Sequence, residues 1–268
     1  GIAEQHAVSM AAGMARGGYR PYFAVYSTFL QRAYDQIVHD VCLQNLPVCI
    51  LSDHVGLVGD DGKTHHGVLS VPMLMSIPNL TLLAPRDTCQ IRQAVRATLK
   101  LDGPCVVQYP KEGIEPYAQN VTGEPFAVGK WQTLIPGGQD AVILAYGRMT
   151  QNAIQASELL VQRGLSVGVI DCCSLKPLDM DCLRALFERK AKIVTIEEGE
   201  MIGGFGSEIA RVCVEENADA PVQIIGLENR FITHGSVPEL LRECGLTPEQ
   251  LADRIEEIAG DKENGHVG

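Results

Sequence analysis

Along almost the whole chain, short apolar runs alternate with stretches whose apolar residues recur every three to four positions. This is the pattern of βαβ units built around parallel sheets. His6 to Arg16, rich in alanine and methionine and closed by Gly17-Gly18, is expected to be a helix, followed by a strand from Tyr22 to Tyr26. From Thr28 to Gln44, Phe29, Ala33, Ile37 and Val41 form one row and Leu30, Val38 and Cys42 another, which predicts a second amphipathic helix. Val48 to Leu51, Leu80 to Ala84 and Cys105 to Tyr109 read as strands, with a helix running from an Asp87 cap to about Leu101. Asp53 to Gly67 holds four glycines, three aspartates and three histidines without a period, so it reads as a loop at the end of a strand.

Pro110 to Val128, punctuated by proline and glycine and without periodicity, reads as a linker. Beyond it the alternation resumes. Trp131 to Leu134, Ala141 to Tyr146, Ser166 to Asp171, Ile193 to Glu197 and Val222 to Gly226 are expected strands. Helices are expected at Thr150 to Arg163, near Asp179 to Arg189 and Gly206 to Glu216, and at Val237 to Cys244 and Thr247 to Ala259. The fold class is therefore α/β, with two domains, 1–122 and 123–268, each a mainly parallel sheet flanked by helices.

Composition narrows the function. Hydrophobic residues make up 46% of the 268 positions, enough for two cores, and 22 Lys plus Arg against 33 Asp plus Glu give a net charge of −11. Such a surface repels a phosphate backbone, so nucleic acid is not an expected partner, and no apolar run has the length of a membrane span. Nine cysteines are too dilute for a disulfide scaffold and point to a reducing cytoplasm. The adjacent Cys172 and Cys173 are expected to place one thiol inward and one outward at a strand end.

The densest chemistry is Asp60, Asp61, Lys63, His65 and His66 on the glycine-rich loop, where α/β sheets put ligand sites. Adjacent histidines rarely face one ion, so no metal site is expected. Glu4 at a helix mouth could be an ordinary helix-start carboxylate, and Arg32 near Tyr26 and Phe29 could be a cation on an aromatic wall. Gly203-Gly204-Phe205-Gly206 lacks a dinucleotide fingerprint and follows Glu197, Glu198 and Glu200, so it is assigned to tight helix–sheet packing. His234-Gly235 is expected to be a structural turn at an interface.

Three strings go further: Gly1-Ile2-Ala3-Glu4-Gln5-His6-Ala7, then Tyr26-Ser27-Thr28-Phe29-Leu30-Gln31-Arg32, then Gly59-Asp60-Asp61-Gly62-Lys63-Thr64-His65-His66-Gly67. They closely resemble the 1-deoxy-D-xylulose-5-phosphate synthase family of the thiamine-diphosphate-dependent transketolase superfamily, and Glu197-Glu198-Gly199 to Gly206 is similar to its C-terminal domain. The resemblance implies a pyrimidine-binding domain, incomplete at its start, joined to a C-terminal domain. It also implies a homodimer, and a partner domain or subunit that binds the diphosphate with Mg²⁺, whose motif has no counterpart here. Without that partner the chain is expected to be inactive.

By the same resemblance, Glu4 hydrogen-bonds the aminopyrimidine of thiamine diphosphate and takes part in catalysis with Asp61 and His65. Phe29 stacks on the pyrimidine with Tyr26 on the same wall, and Arg32, His54, Lys63 and Lys111 face small-molecule substrates. The implied reaction decarboxylates pyruvate and joins the two-carbon unit to glyceraldehyde 3-phosphate, a step toward isoprenoid precursors. The family usually has arginine where this chain has His54 and Lys111, which weakens the two-pronged grip on phosphate. A transketolase or 2-oxo-acid dehydrogenase β-type subunit with an unphosphorylated acceptor, and a non-catalytic assembly module, are therefore the alternatives.

Overall fold

The computed structural model describes residues 2–114 and 126–260. It shows two five-stranded, mostly parallel sheets flanked by helices, as the alternating pattern implies. The first half contributes α1 (Glu4–Arg16), β1 (Tyr22–Tyr26), α2 (Ser27–Leu30), α3 (Tyr34–Gln36), β2 (Cys49–Asp53), α4 (Ser70–Met75), β3 (Thr81–Leu83), α5 (Thr88–Thr98) and β4 (Cys105–Gln108). The second contributes β5 (Gln132–Ile135), β6 (Ala141–Ala145), α6 (Met149–Gln162), β7 (Val167–Asp171), β8 (Ser174–Lys176), α7 (Met180–Glu188), β9 (Ile193–Glu200), α8 (Phe205–Glu215), β10 (Val222–Leu227), α9 (Val237–Glu243) and α10 (Pro248–Gly260). The expected division at 122 and most of the linker lie outside the described residues.

The strand order is β1-β2-β4-β3-β8 in the first sheet and β10-β9-β6-β7-β5 in the second. Central strands such as β4 and β6 are buried along their whole length, which explains why they read as unbroken apolar runs. β8 was not legible in the sequence. This three-residue strand from the second half pairs antiparallel with β3, so the chain after β7 crosses over to complete the first sheet. That crossing also corrects the expectation for the cysteine pair. Cys172 and Cys173 lie between the two sheets, hydrogen-bonded at 2.7 Å to Ala145 and at 2.8 Å to Ala84, so both are covered rather than one facing out.

One apolar core runs through both halves, from Val8, Leu30 and Ile50 to Trp131, Tyr146 and Phe205, each fully buried aliphatic contributing roughly 1.5–3 kcal/mol. Phe205 receives the edges of Trp131 and Tyr146 at centroid distances of 6.0 and 5.5 Å. Close packing at the start of α8 requires glycine, since a Cβ at Gly204 would lie 2.3 Å from the Glu200 carbonyl oxygen. The single helix expected over Thr28 to Gln44 is instead α2, a 3₁₀ turn, α3 and a π-helical turn over Ile37–Cys42. The π turn is closed by Leu43 N–H to Val38 O at 2.8 Å and sends Ile37, Val41 and Cys42 inward together.

Candidate functional site

Strands β1, β2 and β4 are neighbours and parallel, so the residues that follow them emerge side by side at the carboxyl end of the first sheet. Tyr26 is in register with Asp53, and Tyr109 N–H donates to Ser52 O at 3.0 Å. This end gathers Tyr26 and α2, the loop after β2, and the segment carrying Lys111. The loop is pinched at its base by Gly56 and Gly67, whose backbones exchange hydrogen bonds of 2.8 and 3.3 Å. A Cβ at Gly67 would fall 2.2 Å from the His54 carbonyl oxygen, so only glycine permits the closure. Gly62, at φ +71°, breaks the 3₁₀ turn Gly59–Thr64 and turns the chain back.

An aromatic wall stands on this platform. Tyr26 and Phe29 stack at 5.2 Å, the edge of His65 meets Phe29 at 5.5 Å, and the Arg32 guanidinium carbon sits 5.3 Å from the Phe29 centroid. His54 is buried behind Tyr26, with ring centroids 3.6 Å apart and Nδ1 3.0 Å from Asp53 Oδ1. Its backbone takes φ +55°, which turns the chain out of β2. Glu4 occupies the first turn of α1, which packs against the Gln31–Ala33 turn. Among the described residues its Oε2 is buried without a hydrogen-bond partner, and the start of α1 has no side-chain cap.

Lys111 Nζ lies 3.1 Å from Asp61 Oδ2, and the ammonium holds that exposed carboxyl below the usual carboxylate range. Glu112, next to Lys111, pairs with Arg148, its Oε2 3.0 Å from Nη2. The loop divides two clefts. One, of about 420 Å³, is lined by Thr28, Lys63, His66, Arg230 and Phe231; the other, of about 720 Å³, by Asp60, Lys111, Arg148 and Pro238. Sequence reasoning therefore named residues that the structure brings together: Tyr26, Phe29, Arg32, His54, Asp61, His65 and Lys111, with Lys63 on the neighbouring cleft. Among the described residues no group of three or more metal-ligating side chains converges.

It missed the contribution of the second half. Glu198, buried at the end of β9, accepts Leu57 N–H at 2.9 Å and is met by Arg148 Nη1 at 3.3 Å. Glu197 points the other way, accepting the Phe205 and Gly206 N–H groups at 3.0 and 2.9 Å at the start of α8. Two adjacent glutamates ending a buried strand were the available signal. His234, exposed in the segment after β10, lies against the loop, with a Cβ at Gly62 placed 3.1 Å from its own Cβ.

Burial pushes the Glu197 carboxyl up to about 7, against the opposing pull of the Gly206 and Phe205 amides. The folded form then holds a proton that the unfolded chain has already released. Glu197 therefore contributes stability in acid that is lost as pH rises from about 4.5 to about 7. The urea midpoint of Glu197→Gln, compared with wild type between pH 5 and 8, should lack this part of the decline; an identical slope would exclude Glu197 as its source.

The fold and the two family models define the class. The transketolase pyrimidine-binding domain model matches residues 1–115 and the transketolase C-terminal domain model matches residues 129–251. The chain belongs to the transketolase family. It is 42% identical to a 1-deoxy-D-xylulose-5-phosphate synthase of Rippkaea orientalis and 43% identical to one of Synechococcus elongatus, matching 96% and 98% of this chain. The chain spans about 41% of the length of each of these relatives. Among solved structures, a split-gene transketolase described as an inactive β4 tetramer superposes with a TM-score of 0.87 at 29% identity, covering 97% of this chain and 83% of that one. Transketolase from Campylobacter jejuni shares the fold, with a TM-score of 0.77 at 18% identity over 93% of this chain and 38% of its own. No helix among the described residues is long and apolar enough to cross a membrane.

Proposed function

We propose that the chain supplies the pyrimidine side and the substrate loop of a thiamine-diphosphate-dependent synthase that makes 1-deoxy-D-xylulose 5-phosphate. A diphosphate-binding domain or subunit, which also holds Mg²⁺, completes the site, and the assembly is a homodimer of such pairs in the cytoplasm. The observation that carries the reading is the convergence of Tyr26, Phe29, Arg32 and His65 beside the Asp61–Lys111 pair. A buried carboxylate oxygen without a partner and an aromatic face suit an aminopyrimidine, so the residues fit this half of the cofactor.

When bound, thiamine diphosphate supplies an acidic ring carbon that adds to a keto acid and accommodates the charge left by loss of CO₂. Glu4 would hydrogen-bond the pyrimidine ring nitrogen, and Phe29 would face the ring from the wall it shares with Tyr26, which His54 braces. His65 and Asp61 hold or move protons at the substrate carbonyl and hydroxyl oxygens. Arg32, Lys63 and Lys111 provide the cations that the acceptor phosphate needs in a chain of net charge −11.

Mixing the chain with a diphosphate-binding chain, cofactor and Mg²⁺ should release CO₂ from pyruvate, while either chain alone should not. A stable, cofactor-loaded complex that is inert overturns the reading. The resemblance to a split-gene transketolase supports a separately encoded partner.

A second reading, with an unphosphorylated aldehyde as acceptor, is favoured by the burial of His54 on Asp53 and by the engagement of Lys111 with Asp61. Lys111→Arg restores a two-pronged donor. On the first reading it should raise kcat/KM for a phosphorylated aldehyde about tenfold and leave the free aldehyde unchanged. Wild-type preference for the free aldehyde, unaffected by Lys111→Arg, supports the second.

A further inference from the structure

We infer that Glu198 and His66 are positioning residues through which the C-terminal half sets the shape of the loop carrying Asp61, Lys63 and His65. This inference rests on the reading of that loop as the substrate loop. The attachment is built at two points only one residue apart along the loop. Leu57 N–H donates to Glu198 Oε1 at 2.9 Å, and Val58 N–H donates to His66 Nδ1 at 3.1 Å. Because Nδ1 accepts, the proton of the neutral ring is on Nε2, which donates to Thr233 O at 2.9 Å in the segment after β10. His66 is thus fixed at both nitrogens and joins the loop to the second half, while its neighbour His65 faces Phe29.

The fit around Glu198 is close. Gly56, at φ +77°, leaves the space that the carboxyl fills, and a Cβ there would lie 2.6 Å from its carbon. Arg148 Nη1 reaches the same carboxylate at 3.3 Å and uses Nη2 at 3.0 Å to hold Glu112, next to Lys111. One carboxylate of the second half is therefore tied to the loop backbone at Leu57 and, through Arg148, to Glu112, the residue next to Lys111. Backbone contacts extend the attachment, with Glu200 N–H on Val68 O at 3.0 Å beyond the Gly56–Gly67 closure. A hydrogen bond from a buried amide to a carboxylate is among the stronger kinds, so losing it leaves a donor unsatisfied and frees the loop to sample other shapes.

The test has two arms. In the chain itself, amide hydrogen exchange over residues 55–68 should quicken about tenfold to a hundredfold in Glu198→Ala and His66→Ala. Exchange in β6 and β7 should hold its wild-type rate. Glu198→Gln, whose amide oxygen still accepts Leu57 N–H, should restore most of the protection. In the complex with the diphosphate-binding partner, both alanine variants should raise the acceptor KM about tenfold, with cofactor affinity unchanged. Unchanged loop exchange in both alanine variants, or quickening spread evenly over both sheets, overturns the inference, as does an unmoved acceptor KM. A wild-type complex that releases no CO₂ defeats the functional reading instead, while the exchange arm still decides whether these two residues hold the loop.

Discussion

Glu4→Ala is expected to lower kcat of the assembled enzyme by about 10² to 10⁴, the range that a positioned acid–base group contributes. The same change should leave the folding midpoint of the chain close to wild type. Glu4 Oε2 is buried without a partner among the described residues, so deleting it breaks no hydrogen bond among them. A group retained for the fold behaves oppositely, since removing one member of a satisfied pair leaves the other exposed to the cost of burial. Glu4→Gln keeps the shape and should lose nearly as much activity. If both variants leave turnover intact, the carboxylate is not in the site; if the complex assembles but neither wild type nor variant turns over, the chain is an assembly module.

Arg86→Met is expected to destabilise the chain by about 3–5 kcal/mol, the usual cost of stranding one member of a buried ion pair. Arg86 follows β3, and its Nη1 is bonded to Asp171 Oδ2 at the end of β7 and, at 2.7 Å, to Gln132 Oε1. Asp171 is fully buried, and Gln90 Nε2 at 2.6 Å is the further donor on its Oδ2. Burial already pushes this carboxyl above the usual range against the pull of Arg86, so without the guanidinium its charge has little left to balance it. Urea unfolding measures the loss. The double variant Arg86→Met/Asp171→Leu should recover only part of it, because it removes the Asp171 charge while buried Asp87, whose Oδ2 lies 3.2 Å from Arg86 Nε, loses its partner. Full additivity of the two single changes would show that the pair does not join the two sheets energetically.

The elements legible in the sequence are those whose periodicity comes from one-sided or complete burial. β4, β6 and β7 are covered on both faces and read as apolar runs, and α5 begins at Asp87, whose side chain accepts Gln90 N–H at 2.8 Å. β8 and the 3₁₀ and π turns between Gln31 and Cys42 were not legible, because a three-residue strand and a change of helical winding are decided by what packs against them. The site divides in the same way. Tyr26, Phe29, Asp61 and His65 belong to short local strings, whereas Glu198 meets Leu57 across 141 positions of sequence, a contact that only the folded sheets create. In the acidic run Glu197-Glu198 one carboxylate holds α8 and the other holds the loop.

The most direct test is the product formed when the chain, a diphosphate-binding partner, thiamine diphosphate and Mg²⁺ are given pyruvate and glyceraldehyde 3-phosphate. Mass spectrometry should show CO₂ and 1-deoxy-D-xylulose 5-phosphate in equal amounts from wild type, and about a hundredth or less of each in the same time from Glu4→Ala. A cofactor-loaded wild-type complex that returns both substrates unchanged would contradict the account.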